Sequence, residues 1–336
     1  MGITIRDVAR AAGVSTATVS RALGNPAMVD PTTRERITRM ADSMGYRPNR
    51  AARSLITGRT GNLGLVLPDL ANPFFPSVVK AIQAAAGTCE YQVFIADTDE
   101  DPQVELGVVR SLAEQVDGII LCSPRMKTAQ LREAATCVPV VLANRRSGSI
   151  PSVTIDSPSV MRAAVEHLAG LGHRDVGYLA GPRSSWSSRE RLHSLQAAAA
   201  ASEVRLVELG NFAPTFQGGR DAADGVLVAG VTCVVAYNDL CAVGLISALR
   251  DRGVGVPSDL SVVGIDDIEM AAMLHPALTT VDVPKKELGR RAVELLLQTM
   301  RDPTAVAQHV TLSTRLIVRE STAPPGVVQP RATVRR

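Results

Sequence analysis

Apolar residues over the first fifty positions recur at helical spacing and stop at turn residues. Ile5, Val8, Ala9 and Ala12 share one helical face. Thr4 followed by Asp7 has the spacing of a capping box, which starts that helix near Ile5, and Gly13 supplies the tight turn after it. Ser15 is placed to cap a second helix with Val19, Ala22 and Leu23 inward and Thr16, Ala17, Thr18, Ser20 and Arg21 outward. Pro31 opens a third, running to Tyr46 and stopped by Pro48, with Ile37, Met40, Ala41 and Met44 on one side. The pattern predicts an all-α three-helix domain over residues 1–48. Residues 49–60 carry a helix-competent run, NRAARSLIT, too short to be stable alone.

From Gly61 the period changes. Strand-like runs LGLVLPD, YQVFIAD, VDGIILCS and VPVVLAN form one series, and SVTID, DVGYLAG, VTCVVAY and LSVVGID a second. Amphipathic helices are expected between them at Phe74–Ala86, Val104–Gln115, Met161–Leu171, Arg189–Ala201 and Leu240–Arg252. This rhythm predicts an α/β core of two doubly wound parallel-sheet lobes. Ligands bind such sheets outside the carboxyl ends of the strands, so two facing lobes enclose one between them.

Charge sharpens the division. Residues 1–60 hold 10 Arg and no Lys against 4 acidic residues, a net +6, which leaves −3 for the rest of a chain whose overall charge is +3. Only the head is expected to meet a polyanion. The outward face of the second helix is short and mostly uncharged, as suits the DNA major groove, where Arg21 can read a guanine edge. The five scattered Cys read as small hydrophobes in a reducing compartment. No apolar run resembles a signal peptide or a membrane span, which points to a cytoplasmic protein without a membrane partner. The acidic run DTDEDP fails as a calcium loop, because Pro102 and Val108 stand where a Gly and a Glu are needed; Asp101 is expected to cap a helix instead. No phosphate loop, nucleophile elbow or His pair at metal spacing is present, so no enzyme, metal or cofactor is predicted.

The helix-turn-helix together with RPNRAARSLITGRTGNLGLVLPD resembles the LacI/GalR family of bacterial transcription regulators, from Thr4 to about Ser321. The resemblance implies a periplasmic-binding-protein-like core over 61–321, with an N-lobe of about 61–157 plus 286–316 and a C-lobe of about 158–285 plus 317–325. Crossovers are implied near Asp156, Pro284 and Leu316, and a disordered tail is expected over 326–336. It implies a dimer, or a tetramer, on double-stranded operator DNA, with a hinge helix at 49–60 whose Leu55 wedges between base steps. The DNA-binding residues are then Thr4, Ser15, Thr16, Ala17, Thr18, Ser20, Arg21, Asn25, Arg50, Ala52 and Leu55. For a sugar or nucleoside effector the implied residues are Phe74, Phe75, Arg145, Ser185, Trp186, Ser187, Arg191, Phe212, Asp239 and Asp266. Asp239 serves equally well as the cap of the helix from Leu240. Repression relieved by an inducing sugar is the leading expectation. Dependence on a corepressor or a partner protein, or a solute-binding protein without DNA activity, stand as alternatives.

Overall fold

The computed structural model describes residues 3–24, 28–46 and 59–326, in two compact units divided at Gly61. Asn25, Pro48, Arg50, Ala52, Leu55 and the tail after residue 326 lie outside the described residues.

In the first unit, α1 (Ile5–Ala12) begins at the expected box: the Asp7 carboxylate accepts from the Thr4 N–H at 3.0 Å and the Thr4 hydroxyl at 2.6 Å. Gly13, at φ 65°, lets its own N–H and that of Val14 return to the carbonyls of Arg10 and Ala9. Ser15 caps α2 (Thr16–Gly24) by accepting from the Thr18 N–H at 3.1 Å. Asp30 caps α3 (Pro31–Ser43) through the N–H groups of Thr32 and Thr33. That helix ends at Ser43, short of the predicted Tyr46. Gly45, at φ 68°, allows the Tyr46 N–H to close on the Ala41 carbonyl before Pro48 is reached. Val8, Ala9, Ala12, Val19, Ala22, Ile37 and Ala41 make the core of the three helices.

The second unit alternates strands and helices. Its first half runs β1 (Asn62–Leu67), α4 (Phe74–Thr88), β2 (Gln92–Asp97), α5 (Pro102–Ala113), β3 (Gly118–Cys122), α6 (Thr128–Cys137), β4 (Val140–Ala143) and β5 (Ser152–Ile155). Next come α7 (Ser157–Gly170), β6 (Asp175–Ala180), α8 (Trp186–Ala201), β7 (Arg205–Asn211), α9 (Phe216–Asp221) and α10 (Ala223–Ala229). The chain continues with β8 (Cys233–Ala236), α11 (Asp239–Asp251), β9 (Ser261–Asp266), α12 (Glu269–Met273), β10 (Thr279–Asp282), α13 (Lys285–Arg301), β11 (His309–Leu312) and β12 (Arg315–Ile317).

Two six-stranded sheets result, in the orders β11-β5-β4-β3-β1-β2 and β12-β10-β9-β8-β6-β7. The first is parallel throughout, and the second is parallel except for β12 against β10. Strands β3, β4, β5, β8 and β9 are buried along their whole length, which is why β3, β4 and β8 read as continuous apolar runs; β5, Ser-Val-Thr-Ile, alternates and buries its two hydroxyl residues as well. One expectation fails: SVTID does not open the second sheet. Ser152–Ile155 pairs with β4 and β11 in the first sheet, because the connection from β4 carries no helix and the change of lobe comes only afterwards. The chain passes between lobes after β5, after β10 and between β11 and β12. Asp101 caps α5 by accepting from the Gln103 N–H at 2.8 Å.

Candidate functional site

Residues just beyond the carboxyl ends of both sheets line a cavity of about 290 Å³, part of it open to solvent. The first lobe supplies Asn72, Phe74, Phe75, Glu100, Ser123, Arg125 and Asn144; the second supplies Arg191, Pro214, Tyr237, Asn238 and Asp266. Phe74 and Phe75 meet edge to face with centroids 5.2 Å apart, so neither ring is loose.

On the second lobe, Arg191 projects from α8 and is 3% exposed. One of its terminal nitrogens donates to the Tyr237 carbonyl, its guanidinium carbon lies 5.0 Å from the Tyr237 ring centroid, and its Nε is buried without a partner. Asp266 closes β9 with φ 119°, a conformation that a non-glycine residue holds only under strain. Lys285 holds that turn by donating its ammonium to the carbonyls of Asp266 and Asp267. The carboxylate of Asp266 pairs with Arg191 only loosely, at 3.7 Å. Burial pushes its pKa up to about 7; Arg191 works against that rise, and the neighbouring Asp239 adds to it.

The first-lobe wall is held by charge. The Arg125 fork donates Nε and a terminal nitrogen to the two oxygens of Glu100, at 2.5 and 2.7 Å. Beneath it the buried Glu105 carboxylate accepts the N–H groups of Arg125 and Met126, and burial raises its pKa despite those donors. Arg145 donates to the carbonyls of Pro124 and Met126, both at 2.7 Å. The loop after β3 is therefore clamped through its N–H groups by a carboxylate and through its carbonyls by a guanidinium.

Of the residues singled out from sequence, Phe74, Phe75, Arg191 and Asp266 share the cavity wall; the others do not. Arg145 is drawn under the loop just described. Ser185 caps α8 and hydrogen-bonds the Tyr237 hydroxyl at 3.0 Å. Trp186 is the first, half-buried residue of that helix. The Ser187 hydroxyl donates to the Asn144 carbonyl at 3.0 Å, joining the lobes. Phe212 packs against the second-lobe core. Asp239 is neither cap nor wall: Asn238 caps α11, and the fully buried Asp239 carboxylate accepts from the Thr280 hydroxyl and the Ile268 N–H, anchoring the turn after Asp266. Residues missed beforehand, such as Ser123, Tyr237 and Asn238, each follow a strand's carboxyl end, and the strand-end rule applied evenly finds them.

In the first unit, Thr16, Ala17 and Arg21 are exposed on α2, while Ser15 and Thr18 are engaged with each other in its cap. The face left free combines a hydroxyl, a methyl and a guanidinium.

Two family models match the chain: "Bacterial regulatory proteins, lacI family" over residues 4–49 and "Periplasmic binding protein-like domain" over 165–322. Catabolite control protein A of Priestia megaterium is 32% identical over 334 residues, covering 96% of this chain and all of that one. The transcriptional repressor CytR of Escherichia coli is 32% identical, covering 95% and 96% of the two chains. Among solved structures, a lac repressor dimer bound to operator and the anti-inducer ONPF superposes with a TM-score of 0.85 at 27% identity, over 96% of this chain and 100% of that one. A complex of the regulator CelR with cellobiose gives 0.71 at 30% identity, over 95% and 99%.

Proposed function

This chain belongs to the LacI family of bacterial regulatory proteins, and on that premise we propose that it is a repressor binding a near-palindromic operator as a dimer and releasing it when a small molecule, foremost a sugar, fills the cavity. The observation that carries the effector reading is Arg191, a cavity-lining guanidinium whose buried Nε has no partner and which engages the Asp266 carboxylate only at 3.7 Å. Native interiors rarely leave such donors unanswered, and a ligand hydroxyl answers both groups at once.

At the other end, Thr16, Ala17 and Arg21 face base edges, and Arg6, Arg34 and Arg50 hold phosphates, which makes binding fall with salt. Ala52 and Leu55, in the segment leading up to Gly61, are assigned to the centre of the operator, where Leu55 between base steps widens the contact by bending the DNA. Effector closure of the two lobes then changes whether the hinge can order, through unequal affinity for two states. The relatives named above are regulators, which favours a binding protein working in the cytoplasm.

Fluorescence titration of Trp186 with sugars and nucleosides, run beside operator-binding assays on a palindromic library, tests the proposal. A ligand that shifts Trp186 emission, through the helix that also carries Arg191, and weakens DNA binding is the expected result. Strengthened DNA binding would make the ligand a corepressor, and loss of specific DNA binding altogether would sink the proposal.

A further inference from the structure

We infer that the cavity is built for an uncharged, hydroxyl-rich ligand and turns away the phosphorylated or carboxylated form of the same molecule, with the Glu100–Arg125 pair as the selecting element. The inference rests on the reading of this cavity as the effector site.

Two arginines line the cavity, and a polyanion would need both. Arg125 is not available to one. Its fork is closed on Glu100, its remaining terminal nitrogen donates to the Ser123 carbonyl at 3.1 Å, and its side chain is 2% exposed. The backbone that carries it is fixed as well, by Glu105 on the N–H groups of Arg125 and Met126 and by Arg145 on the carbonyls of Pro124 and Met126. Glu100 is the exposed partner, at 21%, and a carboxylate that has accepted two guanidinium hydrogens keeps lone pairs for further donors. The first lobe therefore offers the ligand an acceptor. Across the cavity, Arg191 has Nε to give, but with Asp266 beside it. A phosphate settling on Arg191 would sit among carboxylates from both walls.

Helix N-termini, the other usual seat for an anion, are partly taken here, by one side-chain acceptor at each of two helix starts. The Asn72 side chain accepts the Phe74 N–H at 3.0 Å at the start of α4, and Asn238 accepts the Cys241 N–H at 2.9 Å at the start of α11. Hydroxyls suit all of these groups, since one hydroxyl donates to Glu100 or Asp266 while another accepts from Arg191. The rings of Phe74, Phe75 and Tyr237 line the same space.

Thermal unfolding of the full chain at about pH 8, with matched pairs at millimolar concentration, tests this: D-ribose and ribose 5-phosphate, D-galactose and galactose 1-phosphate, cytidine and its monophosphate. At least one neutral member is expected to raise Tm while its phosphate ester does not. A phosphate ester that stabilises as much as its parent overturns the selection and leaves the small-molecule reading standing. Silence from every pair removes that reading and the inference together. The Glu100→Gln variant leaves Arg125 in place without its counter-ion, and is expected to bind the phosphate ester roughly tenfold or more tighter than the natural chain does. The wild-type pairs decide the matter even where that variant does not fold.

Discussion

At the scale of single residues, Asp266 sets ligand recognition against stability. An aspartate in an unfolded chain titrates near pH 4, whereas here burial lifts the pKa to about 7. Between those values the folded protein keeps a proton that the unfolded chain has released, so raising the pH through this window removes stability. Asp266→Asn is therefore expected to flatten the fall of Tm between about pH 4 and 7 and to raise Tm at pH 8, while weakening effector binding. A variant whose Tm still drops over that window in parallel with the natural chain would show that the carboxylate is not the group responsible. In the head, Arg21→Ala is expected to cost about 1–3 kcal/mol of operator affinity and to relax preference at one base pair; a uniform loss across all sequences would make Arg21 a phosphate contact instead. Placement on the cavity wall was legible where a side chain ends a strand, as with Asp266, or opens the helix that follows one, as with Phe74. Residue roles were illegible where charge partners far apart in sequence decide the outcome. Nothing near Arg145 in the chain announces that Pro124 and Met126 will claim its guanidinium.

Elements explain how the wall is held. Helix α11 brings Asn238 to the cavity, and it lies so close to α9 that a Cβ on Gly244 would stand 1.9 Å from the Phe216 carbonyl oxygen. Gly244→Ala is expected to destabilise the core by roughly 1–3 kcal/mol, read from denaturant melts, with effector affinity falling in step as the start of α11 shifts; unchanged stability would mean that the two helices separate freely. The long amphipathic helices and the fully buried strands could be read from periodicity. Boundaries and edges could not. In SSWSSRER four serines compete as caps, and Ser185 starts α8 ahead of the predicted Arg189. The edge strand β7 was overlooked because one flank meets solvent and the apolar run is broken by Glu208 and Asn211.

Over the whole second unit, the lobes touch through the Ser187 hydroxyl on the Asn144 carbonyl. Its removal in Ser187→Ala is expected to favour separation by about 1 kcal/mol, seen as a larger radius of gyration in solution scattering without ligand and as a weaker effector response. An unchanged radius would show that other contacts set the closure. The order of the strands carries one more consequence, for synthesis rather than binding. The first sheet gains its edge strand only at Leu312, and the second only at Ile317. A ribosome that has released β10 therefore holds each sheet one strand short, with β5 and β10 bare along the flank that β11 and β12 later cover, and unpaired strand edges invite pairing with a neighbouring nascent chain. Strands β11 and β12 arrive within a few codons of each other, so β5 and β10 gain their outer neighbours at almost the same moment.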